Sequence, residues 1–368
     1  MTGELSHTRC AIVHDWLTGM RGGEKCLEVF CELLPRATLF SLLHLRGKMS
    51  EPIEQMDIRT SFVQKLPGVA TRYRNYLPLF PRAIERFDFS DYDLILSSSH
   101  CVAKGAVPRP GATHICYCYS PMRYVWDMFD AYFGAHRTGR IKRYLIGKFA
   151  ARLREWDRRT SERVDRFVAI SEHVRKRIQR HYDRDADVIY PPVDCSFFRP
   201  DGEVQDFYLV ASAFAPYKRI DLAIQVFNEL GTPLKVIGSG QDEERLRAMA
   251  GDNIEFLGAV SDDELRKAYS SCRAFIFPPE EDFGIMPIEA MACGRPVIAY
   301  GVGGALETVT EETGVFFPEQ TVPALRHAIE EFEHRESDFS TEKARAQAAG
   351  FDRPVFKEKI RAYLQAHS

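Results

Sequence analysis

The sequence predicts an α/β protein made of two Rossmann-like, doubly wound domains. The chain has 368 residues, which is more than one hydrophobic core usually supports. Apolar strand-like runs alternate with helical segments in the first half, as in RCAIVHDW, YDLILSSS, THICYCYS and DRFVAIS. The alternation resumes at DFYLVAS and continues through LKVIGSG, NIEFLGAV, RAFIFPP and PVIAYG. Strands alternating with helices in this way favour parallel sheets.

A stretch rich in proline and turn-forming residues, IYPPVDCSFFRPDGEV, separates the two halves and suggests a linker. We therefore place the first domain at residues 1–194 and the second at residues 195–345. Residues 346–368 include DRPVFKEKIRAYLQAHS, whose apolar spacing fits an amphipathic helix. We expect this helix to pack back on the first domain.

Composition excludes several classes of protein. A formal net charge of −3 argues against a nucleic-acid-binding surface over the whole chain. The nine cysteines form no CxxC pair and lie mostly in apolar segments, which favours a reducing, cytoplasmic compartment. The N-terminus lacks the apolar core of a signal peptide, and no run approaches the ~18–20 apolar residues of a membrane span. The sequence predicts a protein that stays inside the cell.

The segment richest in chemical signals is FPPEEDFGIMPIEAMACGRPVIAYGVGGALETV. It carries Glu281 and Glu289, separated by a glycine-containing loop that enters a helix. The free amides of a helix N-terminus bind phosphate readily. We expect both carboxylates to accept hydrogen bonds from sugar hydroxyls, the alternative being two solvated helix carboxylates. The amides expected to face a diphosphate belong to Phe283, Gly284, Ile285 and Met286.

This segment resembles the retaining glycosyltransferases of the GT-B fold known as family 4, or group 1. Their signature is two glutamates separated by seven residues, a small-residue turn and a Gly-Gly-x-x-Glu segment. Here these are Glu281 and Glu289, Ala292 to Gly294, and Gly303 to Glu307. The resemblance implies an interdomain cleft without a metal. It also implies that Glu281 contacts the hydroxyls of the donor sugar and that Glu289 contacts the nucleotide ribose.

A second segment of the resemblance is SAFAPYKRIDLAI. The family usually has an arginine about five residues before a lysine, and both cations hold the donor diphosphate. Lys218 occupies the lysine position, but Ala213 stands where the arginine is expected. We expect Arg219 or a group of the first domain to compensate, the alternative being that Lys218 and Arg219 are merely exposed. A cation here would stabilise the charge that develops on the leaving diphosphate.

The resemblance also assigns donor-binding positions on both sides of this segment. FLGAVSDDEL resembles the segment whose backbone flanks the base, which implies that Gly258 and Val260 lie near it. Gly22 and Gly23 match a Gly-Gly turn before the first long helix. Because glycine lets the backbone approach a ligand closely, this turn is expected to face the donor diphosphate or the acceptor. The alternative is an ordinary strand-to-helix turn.

ICYCYSPMRYVWD resembles a segment of mannosyltransferase-like members. Many relatives have a histidine at the position of Tyr119, and that histidine approaches the donor sugar. Because this chain has a tyrosine there, the role of the histidine does not carry over directly. Tyr119 is still placed in the donor site. His100, at the end of another strand, is the candidate polar neighbour and catalytic histidine, and Arg123 is a candidate phosphate contact. A structural role is the alternative for His100.

Two segments of the first half are basic with interleaved aromatic residues, at 59–87 and 137–166. The second carries 11 Lys or Arg against four acids. Each is either a solvated basic face or a surface that docks on the cytoplasmic membrane near a lipid-linked acceptor. The alternating acids Asp183, Asp185 and Asp187 resemble a metal-binding Asp-x-Asp motif. They precede a strand instead of following one, so we expect a surface loop and no metal.

The resemblance implies transfer of a hexose with retention of configuration. The expected donor is GDP-mannose or a close deoxy relative, with a UDP-hexose as the main competitor. The expected acceptor is a growing cell-surface glycan, and no cofactor beyond the nucleotide sugar is expected. Two other functions stay open: a sugar-nucleotide 2-epimerase and a non-catalytic glycan-binding subunit. The departures from the family pattern at Ala213 and Tyr119 are the reason to consider the non-catalytic subunit.

Overall fold

A computed structural model describes residues 8–127, 129 and 140–367, with backbone alone for 140–143. The predicted basic segment therefore lies partly outside the described residues, at 137–139. The chain divides into two compact units. Met1–Pro191 and Phe356–Ser368 form the first unit, and Pro192–Val355 form the second.

The first unit contains a seven-stranded parallel sheet in the order β3-β2-β1-β4-β5-β6-β7. The strands predicted from apolar runs are confirmed as β1, β4, β5 and β6. The short β2, β3 and β7 were not predicted: β3 and β7 carry no such run, and the apolar stretch that contains β2 was not assigned. The strands are β1 (Cys10–His14), β2 (Thr38–Ser41), β3 (Asp57–Thr60), β4 (Leu94–Ser99), β5 (Thr113–Cys118), β6 (Arg166–Ala169) and β7 (Ala186–Val188).

The helices of the first unit connect these strands. They are α1 (Gly22–Leu33), α2 (Glu51–Glu54), α3 (Val69–Arg72), α4 (Phe80–Ile84), α5 (Arg140–Thr160) and α6 (Glu172–Tyr182). Short 3₁₀ helices lie at Phe62–Lys65, Tyr73–Leu79, Ala103–Gly105 and Ser161–Arg163. The strand order reverses direction between β1 and β4, and ligands of such sheets bind beyond the carboxyl ends of the strands at this point.

The second unit contains a six-stranded parallel sheet in the order β10-β9-β8-β11-β12-β13. All five predicted strands are confirmed, and the unpredicted β13 completes the sheet. The strands are β8 (Tyr208–Ala211), β9 (Leu234–Ile237), β10 (Ile254–Gly258), β11 (Phe275–Phe277), β12 (Val297–Tyr300) and β13 (Gly314–Phe317). The reversal of strand order falls here between β8 and β11.

The helices of the second unit follow its strands in the same alternation. They are α7 (Ile220–Leu230), α8 (Glu243–Met249), α9 (Asp262–Ser271), α10 (Ile285–Ala292), α11 (Ala305–Thr308), α12 (Val322–Arg335) and α13 (Thr341–Ala349), with 3₁₀ helices at Pro216–Lys218 and Glu336–Asp338. Val236 and Ile276 of the sheet pack with Ile224 and Phe227 of α7 in one buried core. The prediction of two α/β, doubly wound domains is confirmed.

The last helix, α14 (Arg353–His367), reaches the first unit. The ring of Phe356 is buried, with its centroid 5.9 Å from that of Phe30 and 5.7 Å from that of Tyr117. Lys357 pairs with Glu32 at 2.7 Å. The chain before this helix stays in the second unit, where the Val193 N–H donates to the Phe351 carbonyl.

Candidate active site

The segment with the two glutamates follows β11 and leads into α10. Gly284 precedes α10 with a φ of +86°, a left-handed conformation that glycine adopts without strain. The helix begins at Ile285, so the amides of its first turn include those of Ile285 and Met286. The segment therefore has the loop and helix start that a phosphate-binding site requires.

Lys218 and Glu281 form an ion pair in the second unit. Lys218 ends the 3₁₀ helix after β8, and its Nζ contacts Oε1 of Glu281. The two side chains are 19% and 14% exposed, and the lysine Nζ lies 5.3 Å from the ring centroid of Tyr217. The structure thus brings together the two second-unit residues that were predicted to be catalytic, at the edge where β8 and β11 end.

Glu289 lies deeper than Glu281, on α10. It is 6% exposed, and its Oε2 accepts a hydrogen bond from the Tyr269 hydroxyl at 3.3 Å. Burial, reinforced by the negative charge of Glu289, raises the pKa of Tyr269. The two glutamates are therefore not a pair of solvated helix carboxylates. Tyr269, which belongs to α9, contacts Glu289 but carries no local sequence pattern that would have marked it.

Gly303 and Gly304 hold the Glu281 segment in place. The Gly304 N–H donates to the Glu281 carbonyl at 2.8 Å, and Gly303 forms a bridge with Glu281. A Cβ on Gly304 would lie 2.3 Å from the Cα of Phe283, and one on Gly303 would lie 2.5 Å from the Glu281 carbonyl oxygen. The Gly-Gly pair thus permits a backbone approach that no other residue could make.

Close backbone packing also fixes the loop that leads to Lys218. A Cβ on Gly238 would lie 1.8 Å from the Ser212 carbonyl oxygen, and one on Gly240 would lie 2.5 Å from that of Phe214. Ala213 sits in this loop and is exposed. The Gly-x-Gly pattern after β9 therefore packs one loop against another.

Arg219, beside Lys218, has a left-handed φ of +53°. Its guanidinium contacts Oδ1 of Asp221 at 3.4 Å and Oε1 of Gln320 at 3.3 Å. Arg219 therefore does not pair with Glu281 in this structure.

The predicted base-binding segment lies at the end of β10, of which Gly258 is the last residue. Gly258 has a φ of +73°, and the space beside its Cα is open. Its carbonyl accepts from the Gly238 N–H at 2.8 Å. Val260 is partly exposed and directly precedes Ser261, which caps α9. The segment is thus accessible and joined to the loop that packs against the Lys218 loop.

In the first unit, Gly22 and Gly23 lie within the first turn of α1, so the prediction of a turn before the helix is wrong. The Glu24 carboxylate accepts from the Arg21 N–H at 3.1 Å. With this capping contact the helix starts at Gly22, two residues earlier than the glycines suggested. The amides of the glycines belong to a helix N-terminus as a result.

Tyr119 is tied to this first turn by a chain of hydrogen bonds. Its hydroxyl donates to the Gly23 carbonyl at 2.8 Å and lies 2.9 Å from Oγ of Ser98. Ser98 Oγ lies 2.9 Å from Nδ1 of the buried His14, whose Nε2 lies 3.6 Å from Oε1 of Glu24. Tyr119 therefore holds the turn in place, and sequence patterns gave no signal for His14, Ser98 or the Glu24 carboxylate.

His100 follows β4 and lies near Tyr119, with ring centroids 6.3 Å apart. Its Nδ1 is 3.0 Å from Oδ2 of Asp15, a buried residue that the sequence analysis missed. Burial alone would raise the pKa of Asp15, but the charges of His100 and His14 outweigh it and lower this pKa to about 2. Arg123 is partly buried in the turn that follows Pro121.

The alternating acids Asp183, Asp185 and Asp187 do not all lie in the predicted surface loop. Asp183 ends α6 with a φ of +56°. Asp187 belongs to β7 and accepts from the Tyr363 hydroxyl at 2.7 Å, so the prediction of a loop is wrong there. It failed because the three residues of β7 lack an apolar run.

Two family models match consecutive parts of the chain. "Glycosyltransferase Family 4" matches residues 21–197, and "Glycosyl transferases group 1" matches residues 198–350. The chain belongs to these group 1, family 4 glycosyltransferases, as its motifs predicted.

Similar proteins include a GDP-mannose-dependent alpha-(1-6)-phosphatidylinositol monomannoside mannosyltransferase of Mycobacterium tuberculosis. It is 29% identical over 207 residues, which are 47% of this chain and 54% of that protein. An O-antigen chain mannosyltransferase of Salmonella typhimurium is 31% identical over 161 residues, 40% of this chain and 46% of that protein. The chain spans about half the length of the curated relatives it matches.

Solved structures are similar over nearly the whole chain. A sucrose-phosphate synthase from Thermosynechococcus elongatus superposes with a TM-score of 0.73 at 17% identity, covering 97% of this chain and 99% of that one. The Anabaena protein HepE in complex with UDP gives a TM-score of 0.71 at 15% identity, covering 97% and 100%. These matches confirm the predicted GT-B fold.

Replacement of Gly304 tests the role of the Gly-Gly pair. We expect Gly304→Ala to lower the free energy of unfolding by about 1–3 kcal/mol, because its Cβ overlaps the Phe283 backbone. Gly301→Ala is the control, since its Cβ would make only an ordinary 3.5 Å contact with Phe316. Urea unfolding followed by fluorescence measures both variants. Equal losses in the two variants would contradict this role.

Proposed function

We propose that this chain is a glycosyltransferase whose second unit binds a nucleotide sugar at the carboxyl edge of its sheet. The observation that carries the proposal is the partly exposed ion pair of Lys218 and Glu281, with the start of α10 following in the same segment as Glu281. A cation and helix amides suit a diphosphate, and a carboxylate suits sugar hydroxyls. Family membership supports the same assignment.

The proposed mechanism begins with exchange of partners at Lys218. The donor diphosphate takes the place of Glu281 beside the lysine ammonium, and Glu281 then accepts a hydrogen bond from a donor sugar hydroxyl. As the glycosidic bond breaks, Lys218 and the amides of the first turn of α10 stabilise the negative charge on the leaving diphosphate. A leaving phosphate oxygen takes the proton of the acceptor hydroxyl, which attacks the same face of the sugar. Configuration is retained without a protein nucleophile or a metal.

The proposed donor is GDP-mannose. The support comes from the two mannosyltransferases to which the chain is similar, one of which is named as GDP-mannose-dependent. A UDP-hexose is the second candidate, because the similar structure of HepE holds UDP. In either case no cofactor besides the nucleotide sugar is proposed.

The proposed acceptor is a lipid-linked glycan at the cytoplasmic membrane surface. None of the helices in the described part of the chain has the length and apolar character to cross a bilayer. Helix α5 nevertheless exposes Tyr144 and Leu145, at 61% and 60%, beside a face of exposed cations. These cations are Lys148, Arg152, Arg158 and Arg159. Apolar side chains next to cations favour binding to an anionic lipid surface.

The basic segment at 59–87 adds a second cationic surface to the same unit. Its exposed cations include Lys65, Arg72, Arg74, Arg82 and Arg86. Glu85, the acid in this segment, is engaged by the Trp156 indole N–H at 3.0 Å and by Arg163 at 2.9 Å. The exposed charge of the segment is therefore positive.

Replacement of Glu281 tests the proposed function. We expect Glu281→Gln to lower transfer by about 10²-fold or more, since the donor sugar loses a positioning group. Affinity for the nucleoside diphosphate should persist, because Lys218 remains. The assay offers GDP-mannose and UDP-glucose, each with a panel of octyl hexosides, and NMR identifies the linkage and anomeric configuration of the product.

Glu255→Gln is the matched control, since this carboxylate is exposed on β10. Full transfer by Glu281→Gln would contradict the assignment. Epimerised nucleotide sugar without transfer would indicate the 2-epimerase instead. Tight nucleotide binding without turnover in the presence of the acceptor panel would indicate a non-catalytic subunit.

The membrane surface is tested with Tyr144→Ser and Leu145→Ser together. We expect the double variant to sediment less with vesicles of phosphatidylcholine and phosphatidylglycerol, because the apolar contact is lost. Added salt should weaken binding of the unmodified protein, since the cations are exposed. Leu257→Ser, at an exposed leucine of the second unit, is the control. Equal sedimentation of the unmodified protein with pure phosphatidylcholine would exclude this role for the charges.

A further inference from the structure

Asp15 organises the loop that follows β4. It lies directly after β1 and is fully buried. Oδ2 accepts the N–H groups of His100 at 2.8 Å and Cys101 at 3.0 Å. Oδ1 accepts those of Val102 at 2.6 Å and Ala103 at 2.8 Å. A carboxylate with four backbone donors favours the ionised form and fixes the loop against β1.

The same carboxylate also contacts the ring of His100. Nδ1 lies 3.0 Å from Oδ2, and because an ionised carboxylate only accepts hydrogen bonds, Nδ1 must carry a proton. The indole of Trp16 meets this ring edge-on at 4.5 Å between centroids, which restrains its orientation. Among the residues that the structure describes, none hydrogen-bonds Nε2 of His100.

His100 lies where ligands of such a sheet bind. Its loop follows β4, which neighbours β1 at the point where the strand order reverses. The Tyr119 hydroxyl, close by, is occupied with Gly23 and Ser98. The His100 side chain is 35% exposed, so part of the ring is accessible to a ligand at this edge.

We propose that Asp15 is a positioning residue that holds His100 with Nε2 directed to a hydroxyl group of the sugar substrate. The inference rests on the proposed glycosyltransferase function and adds a first-unit hydrogen-bonding group to it. His100 makes the contact with the substrate, and Asp15 contributes by holding His100 and its loop in position.

Charged groups around His100 set the hydrogen-bonding role of Nε2. Burial of the ring lowers its pKa, but the carboxylates of Asp15 and Glu24 outweigh burial and the charge of Arg21, so the pKa is raised overall. His14 also faces the ring, at 6.3 Å between centroids. Below this raised pKa, Nε2 carries a proton and donates to the hydroxyl. Above it, Nε2 accepts.

The test compares Asp15→Asn and His100→Gln in the full chain. In Asp15→Asn we expect the pKa of His100 to fall, because the carboxylate charge is lost, and the matching limb of the kcat profile to move to lower pH. In His100→Gln we expect kcat to fall by about 10²-fold and that limb to disappear. The fold should persist, since the four backbone bonds to Asp15 remain. His327→Gln, on the exposed face of α12, is the control.

NMR of the imidazole nitrogens follows His100, and the transfer assay gives kcat and KM separately. An unchanged kcat and an unchanged pH profile in His100→Gln would overturn the proposal. This result decides the question even if Asp15→Asn does not fold. An unchanged His100 pKa in folded Asp15→Asn would overturn the role of Asp15. Absence of transfer by the unmodified chain would instead overturn the proposed function, and this inference with it.

Discussion

The ion pair of Lys218 and Glu281 is the interaction on which the candidate donor site depends. It joins the loop after β8 to the loop after β11, and each loop is fixed by glycines that allow close backbone contact. Because both side chains are partly buried, loss of a charged partner would be costly for either of them. A diphosphate offers Lys218 such a partner and leaves Glu281 available for a sugar hydroxyl.

In the first unit, buried carboxylates also fix the position of a loop and of a helix start. Asp15 fixes the loop after β4, and Glu24 caps α1 and faces His14. The same loop continues into Lys104, which is buried and pairs with Asp157 of α5 at 2.9 Å. Asp157 also accepts from the Trp126 indole at 2.8 Å and the Tyr182 hydroxyl at 2.7 Å. Ionic contacts on both sides of one loop therefore hold His100 at the edge of the sheet.

The fold was largely predictable because most strands are apolar runs bounded by turn residues. The strands that the sequence did not reveal are short, such as DIRT in β3 and ADV in β7, and they depend on a neighbouring strand for their structure. The two glutamates could be found because a glycine-containing loop, a small-residue turn and a Gly-Gly-x-x-Glu segment surround them. Tyr269 and Asp15 could not, because their partners are distant in sequence and no local pattern marks them. Gly22 and Gly23 were misassigned because the capping role of Glu24 outweighs the preference of glycine for turns.

The central claim is that Lys218 and the start of α10 bind the pyrophosphate of a nucleotide sugar. Amide NMR during titration with GDP, UDP and ADP tests it most directly, together with calorimetry on Lys218→Met and on Lys267→Met as the exposed control. We predict that one diphosphate shifts the amide signals of Gly284, Ile285 and Met286, and that only Lys218→Met weakens its binding. Binding that leaves these three signals unchanged, or that Lys218→Met does not weaken, would contradict the account.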